Sequence, residues 1–184
     1  VQDHGSGRVL EMLYRRDIDH FEAIAATEGS SSTEGQLVQQ LANRFGSDDP
    51  SVTATLLLNR VTLQPGQALH LQAGNLHAYL SGSGIELMRA SDNVVRGGLT
   101  SKGVDIDLLL SIVDPTPLAE PVMQVSNGRY PLPEVDVELI RLEAGSDYVA
   151  SGHELAIALD GTTLSLSPGT PVYTTAVTFV VTPL

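Results

Sequence analysis

Apolar residues change their spacing along this 184-residue chain, and the change marks its organisation. Leu10, Leu13, Ile18, Phe21 and Ile24 recur at intervals near 3.6, which predicts one amphipathic helix over residues 8–26. The polar linker EGSSST follows. Thr33 with Gln36 reads as a capping box for a second helix, whose stripe is Leu37, Leu41 and Phe45 and whose stop is Gly46. Neither helix has catalytic spacing, so both are expected to be packing elements. From residue 52 the period shortens to two. LLLNRVTLQPG, ALHLQ, LHAYL and GIELMR predict strands, the first ending in a Pro-Gly turn. One helix interrupts at 105–113, where Ile106, Leu109, Leu110 and Val113 share a face; Asp105 can cap it, and Pro115 with Pro117 stops it. Residues 115–133 are proline-rich and expected to run extended over the surface. The strands VELIRLE, YVAS, ELAIALDG, TTLSLSPG and VYTTAVTFVV complete the chain, with Asp160-Gly161 as a two-residue hairpin signal. No internal repeat of fixed period is present. The expectation is a mainly β protein, an antiparallel β-sandwich or barrel. It divides into a helical segment over 1–50 and a β domain over 51–184 that contains the inserted helix and the proline-rich linker.

Composition narrows the classes of function. A hydrophobic content of 42% supports a packed core, and with no Trp and few aromatics that core must be aliphatic. The net charge of −12 argues against DNA or RNA as partner, because phosphate neutralisation needs clustered cations. No run approaches the length of a membrane span, and the first residues (Asp3, His4, Gly5) lack the apolar core of a signal peptide. Cysteine is absent, which excludes disulfides, thiolate zinc sites and cysteine nucleophiles, and fits a cytoplasmic location.

The chemistry concentrates in residues 65–102. His77, Glu86, Asp92-Asn93, Arg96 and Lys102, the only lysine, fall in this span among glycines and alternating apolar residues. Period-two alternation places His77 and Tyr79 on one face of a strand. His77 is then either a metal ligand, with Tyr79 beside it for hydrogen bonding, or a satisfied core histidine. Arg96 and Lys102 either recognise an anion such as phosphate or pair with the surplus carboxylates. His70, seven residues earlier at odd parity in a preceding strand, is expected to be structural or exposed and is not paired with His77. His4, His20 and His153 lie in unrelated contexts, and no H-E-x-x-H or comparable cluster exists.

The segment GQALHLQAGNLHAYLS resembles the second sequence motif of the cupins, and implies a jelly-roll barrel. Gly66, Gly74 and His77 match that motif, with Gln72 in place of its Pro and Ser81 in place of its Asn. HAYLSGSGIELMRASDNVVRGGLTSK is similar, nearly throughout, to the signature of the type I mannose-6-phosphate isomerases, in which HAY, a Gly, E-x-M, S-D-N, R-A-G and T-P-K follow in order. The resemblance implies that His77 is the family's C-terminal zinc ligand and Arg96 its catalytic arginine. It also implies that Tyr79, Glu86, Asp92 and Lys102 line a sugar-phosphate pocket. Glu86 is then a candidate proton carrier, or the ion-pair partner of Arg96 or Arg89. Asp92 either orients Arg96 or caps the turn with Asn93. Arg89 stands where the family has Ala, Gly97 replaces Ala, and Ser101 replaces Pro; none of the three removes a reactive group.

The family's other zinc ligands, a Gln-x-His pair and a Glu in an N-H-K-P-E stretch, do not occur in this chain. DIDHFE at 17–22 has the wrong spacing and reads as helix surface. The expectation is therefore the C-terminal part of a longer enzyme, with zinc completed by the missing N-terminal portion. That enzyme would interconvert mannose 6-phosphate and fructose 6-phosphate through a cis-enediol. The alternative is a metal-free cupin module that binds a phosphosugar or a partner without catalysis. Another cupin enzyme, such as an epimerase or dioxygenase, would need a fuller His/Glu set in one chain.

Overall fold

A computed structural model describes residues 5–88, 91–133 and 135–183 of the chain, so Arg89 lies outside the described residues. They group into two compact units: Val1–Arg60 with Gln72–Pro117, and Val61–Leu71 with Leu118–Leu184. The first unit is built on helices α1 (Gly5–Tyr14), α2 (His20–Ala25), α3 (Thr33–Phe45), α4 (Pro50–Ala54), running on into a 3-10 turn (Thr55–Leu57), and α5 (Ile106–Ile112). The single helix expected over 8–26 is instead two. Arg16 adopts a left-handed φ of 61°, which no α-helix continues through, and the Asp19 carboxylate accepts from the Phe21 amide to start α2 afresh. His20 in this stretch is buried and stacks on Phe21, so DIDHFE contributes to the core and is not merely helix surface. α3 is capped one residue before the expected Thr33, by Ser32, whose hydroxyl accepts from the Gly35 amide at 3.1 Å. α5 starts as expected, with Asp105 accepting from the Leu108 amide at 3.0 Å.

Two apolar clusters hold this unit together. Leu10, Leu13, Tyr14, Ala54 and Leu109 form one; Ile24, Val38, Leu41, Ala42 and Val52 form the other. Val38 and Val52 are 0% exposed, so each contributes roughly 1.5–3 kcal/mol of burial.

In the second unit the period-two pattern produces strands. A five-stranded antiparallel sheet has the order β1 (Arg129–Tyr130), β2 (Val137–Leu142), β7 (Thr178–Pro183), β4 (Glu154–Ala158) and β5 (Thr163–Leu166). A two-stranded sheet pairs β3 (Asp147–Val149) with β6 (Pro171–Tyr173). Ile140, Ala150, Ala156, Leu166 and Val180 make the core. The Asp160-Gly161 hairpin forms, but with a loop of three residues, 159–161, instead of the expected two: Gly161 has φ 95°, the Thr162 amide donates to Asp160, and the Ala158 amide donates to the Thr162 carbonyl. VYTTAVTFVV is not one strand; it divides into β6 and β7. The chain is an antiparallel β-sheet protein with a few helices, consistent with a β-sandwich of cupin-like type.

The strands expected from 56 to 88 are the main departure. Residues 50–57 are helical, and among the described residues 58–104 hold no strand beyond the isolated bridge of Leu69 to Val122. Alternation specifies which side chains share a face, but a strand also needs a neighbour for its amides and carbonyls. Among the described residues, 76–104 make no backbone–backbone hydrogen bond. No helix of the described residues is long and apolar enough to cross a membrane.

Candidate functional site

All six candidate residues belong to the first unit. The extended segment that carries them is fastened through its apolar members. Leu76 and Val95 pack against the cluster of Leu10, Leu13 and Tyr14, and Leu99 packs against that of Val38 and Val52. His77 directly follows Leu76, and Arg96 directly follows Val95. Since neighbours on an extended chain point opposite ways, anchoring the apolar member turns the polar one outward; His77 and Arg96 are both exposed. The Leu76 side chain also lies in contact with the position a Cβ would occupy on Gly97. The stretches bearing His77 and Arg96 therefore meet at this point, and a methyl group at Gly97 would require the end of the Leu76 side chain to shift.

His77, Tyr79 and Glu86 are brought together. Nδ1 of His77 lies 2.9 Å from the Asn75 carbonyl. A carbonyl only accepts, so Nδ1 carries a proton, and in the neutral ring the lone pair is on Nε2. The Tyr79 ring meets that imidazole edge-on at 6.0 Å between centroids, and its hydroxyl donates to Glu86 at 2.9 Å. Partial burial and the adjacent Glu86 carboxylate push the Tyr79 hydroxyl up, so it stays a donor. Glu86 is thus held by Tyr79; among the described residues it forms no ion pair with Arg96.

Among the described residues, no hydrogen bond or ion pair joins the side chains of Arg96, Asp92 and Lys102 to that group or to any other. The turn at 91–93 is closed by Ser91 and Asn93, which leaves the Asp92 carboxylate out of it. Below Arg96 the backbone is tightly held. The Tyr14 hydroxyl, on α1, donates to the Gly97 carbonyl. Ser51, on α4, accepts from the Leu99 amide at 2.9 Å, while its own proton goes to Asp49 at 2.6 Å. Gly98 and Leu99 both have positive φ, 122° and 49°. Burial pushes the Tyr14 hydroxyl well above its ordinary range, with the nearby Asp49 charge adding to it, so it remains protonated. Sequence reasoning missed Tyr14, Asp49 and Ser51. Their link to the loop spans 83 residues for Tyr14 and 48 for Ser51, and no local pattern encodes it.

The donor chemistry of His77 suits a metal. Ligating histidines commonly donate their other ring nitrogen to a carbonyl in this way. A complete site needs more, and among the described residues no group of three or more His, Asp or Glu could hold an ion.

The far end of the 77–96 stretch is open. A Cβ on Gly82 or Gly84 would meet nothing within 4 Å. Tyr79, Met88 and Val94 are more than half exposed, at 76%, 62% and 68%. So many large apolar groups in one stretch are unusual for a surface that faces only water.

The second unit handles its central carboxylate differently. Glu154 is buried and accepts from the Tyr148 hydroxyl at 2.9 Å, the Ser151 amide at 2.9 Å, the Ser151 hydroxyl at 3.0 Å and the Gly152 amide at 3.2 Å. Burial alone would raise its pKa, but these bonds outweigh it and hold the carboxyl below its ordinary value.

Comparison with known proteins bears on these residues. No family model matches the chain, and no solved structure does. Mannose-6-phosphate isomerase 1 of Arabidopsis thaliana is 38% identical over 164 residues, 84% of this chain and 37% of the relative. The rat mannose-6-phosphate isomerase is 45% identical over 83 residues, 45% of this chain and 19% of the relative. That of Escherichia coli is 41% identical over 103 residues, 53% of this chain and 26% of the relative. The chain spans little more than a third, at most, of the length of these curated relatives. By sequence, the chain is similar to mannose-6-phosphate isomerases, over as much as 84% of its own length and 37% of theirs.

Proposed function

We propose that this chain is the C-terminal part of a zinc-dependent, cytoplasmic isomerase that interconverts mannose 6-phosphate and fructose 6-phosphate. Within that whole protein, residues 1–50 would be a helical segment and 51–184 the cupin-like β domain. The observation that carries the reading is the state of Arg96 and Lys102. In a chain of net charge −12 both are exposed, and among the described residues neither side chain is paired with a carboxylate. Cations left free amid surplus anions, on a stretch this firmly anchored, suit an anionic substrate. Relatives named mannose-6-phosphate isomerase supply the substrate class.

In the forward reaction a proton leaves C2 of the open-chain mannose 6-phosphate as the C1 carbonyl oxygen gains one, which gives a cis-enediol. A proton then returns at C1 while the C2 hydroxyl loses its own, and the C2 carbonyl of fructose 6-phosphate forms. Lys102 anchors the phosphate. Arg96 stabilises the negative charge that develops on the enediolate oxygens. Glu86, its carboxylate held by Tyr79, carries the proton between the two carbons. Asp92, left outside its own turn, hydrogen-bonds sugar hydroxyls. His77 would hold zinc through Nε2 with ligands from the N-terminal portion, and the ion would polarise the carbonyl.

Titration of the chain with mannose 6-phosphate, followed calorimetrically, tests the reading. Binding should be weakened about thirtyfold by Arg96→Ala, as for a charged hydrogen bond of roughly 2 kcal/mol. No binding, or binding indifferent to Arg96→Ala, would overturn it. Metal-independent binding, with no isomerisation by any longer polypeptide containing this chain, would favour a non-catalytic phosphosugar module.

A further inference from the structure

The loop beneath Arg96 is held by two hydroxyl groups from helices remote in sequence, and the same two contacts fix every backbone group between Arg96 and Thr100 that the described residues bond. Tyr14 takes the Gly97 carbonyl, and Ser51 takes the Leu99 amide. The direction of the Ser51 bond is forced. Asp49 accepts both the Ser51 amide and the Ser51 hydroxyl proton, so the hydroxyl oxygen can only accept from Leu99. The loop could not take this path unaided. Leu99 sits in a left-handed conformation that residues with a Cβ rarely adopt, and such strain persists only where surroundings over-determine it. A Cβ at Gly98 would collide with the Ser51 side chain, so the serine sits hard against the backbone at that point.

These bonds have little to do with closing a core, since Leu76, Val95 and Leu99 already supply the apolar anchorage. What they add is orientation of two consecutive peptide units, 97–98 and 98–99, between Arg96 and Lys102. We propose that Tyr14 and Ser51, the latter oriented by Asp49, are positioning residues that aim Arg96 at the anionic sugar. The proposal rests on the reading of Arg96 as a substrate-binding cation. Neither hydroxyl need touch substrate, because each acts through the peptide units that follow Arg96.

A double-mutant cycle on mannose 6-phosphate binding separates this from a structural role. Tyr14→Phe and Ser51→Ala each remove one hydroxyl, and each should weaken binding about three- to tenfold in the parent chain. In the Arg96→Ala background the same changes should have almost no effect on binding, because the group they position is gone. A purely structural role would cost the same factor in both backgrounds, and that result overturns the proposal. So does unchanged binding in Tyr14→Phe and Ser51→Ala alongside a parent chain that binds well. Failure of the parent chain itself to bind, by contrast, removes the substrate reading on which both depend. Thermal melts of every variant identify any that has not folded. For such a variant the amide of Leu99 in the other, folded hydroxyl variant provides the second measurement. Its hydrogen exchange should quicken, and unaltered exchange there counts against the proposal.

Discussion

Glu154 and Arg96 are both charged, and the chain treats them in opposite ways. Glu154 receives hydrogen bonds from Tyr148, Ser151 and Gly152 within the β unit and is closed off from water. Arg96 has the backbone that follows it, at Gly97 and Leu99, held by Tyr14 and Ser51, but it is itself left exposed. A group whose partners all lie within the chain maintains the fold; a group whose mounting is rigid and whose charge is unspent is available to something else. The contrast predicts which substitutions move stability and which move ligand binding.

The largest effect belongs to Glu154→Ala. It removes the buried acceptor shared by Tyr148, Ser151 and Gly152 and should lower stability by about 3 kcal/mol, seen as a reduced denaturant midpoint, with mannose 6-phosphate affinity unchanged. Lys102→Ala should do the reverse: about tenfold weaker binding, roughly 1.4 kcal/mol, an effect that fades as salt rises, and an unaltered midpoint. Equal losses in both measurements for either variant would erase the distinction. A milder check uses Asp105, a charged residue of the first unit that is fully committed to capping α5. Asp105→Ala should cost about 1 kcal/mol of stability and leave ligand affinity alone, which shows that the contrast follows partners rather than location. The smallest effect is one of pH. The folded-state pKa of Glu154 lies below its ordinary value of 4.5, so its contribution is present above that value and is lost as pH falls through the folded pKa. Glu154→Gln should flatten that part of the acid unfolding profile; a parallel profile for the variant would place the dependence elsewhere.

What could be read from the sequence was what is encoded locally. The Asp160-Gly161 hairpin and the Asp105 cap rest on residues within a few positions of one another, and both form, the hairpin with a loop one residue longer than expected. The break at Arg16 was not legible, because the apolar stripe runs through it in phase and only the backbone conformation departs. The alternation across 58–88 predicted strands with a buried face, yet residues 77–88 are all exposed, because a ladder needs a partner that periodicity cannot supply. In the site, the candidate residues stood out by composition and by resemblance to a family. The direction of the His77 ring, the Tyr79–Glu86 bond and the hold of Tyr14 and Ser51 on the loop come from packing alone.

The open tip at Gly82–Gly84 has a practical consequence. The chain has no cysteine, so Ser83→Cys would give it one thiol, flanked by two glycines around which a Cβ meets nothing. A fluorophore attached there would sit on the span between Tyr79 and Glu86 without disturbing either apolar cluster. It would turn arrival of a ligand or of a covering polypeptide at this face into a change of emission.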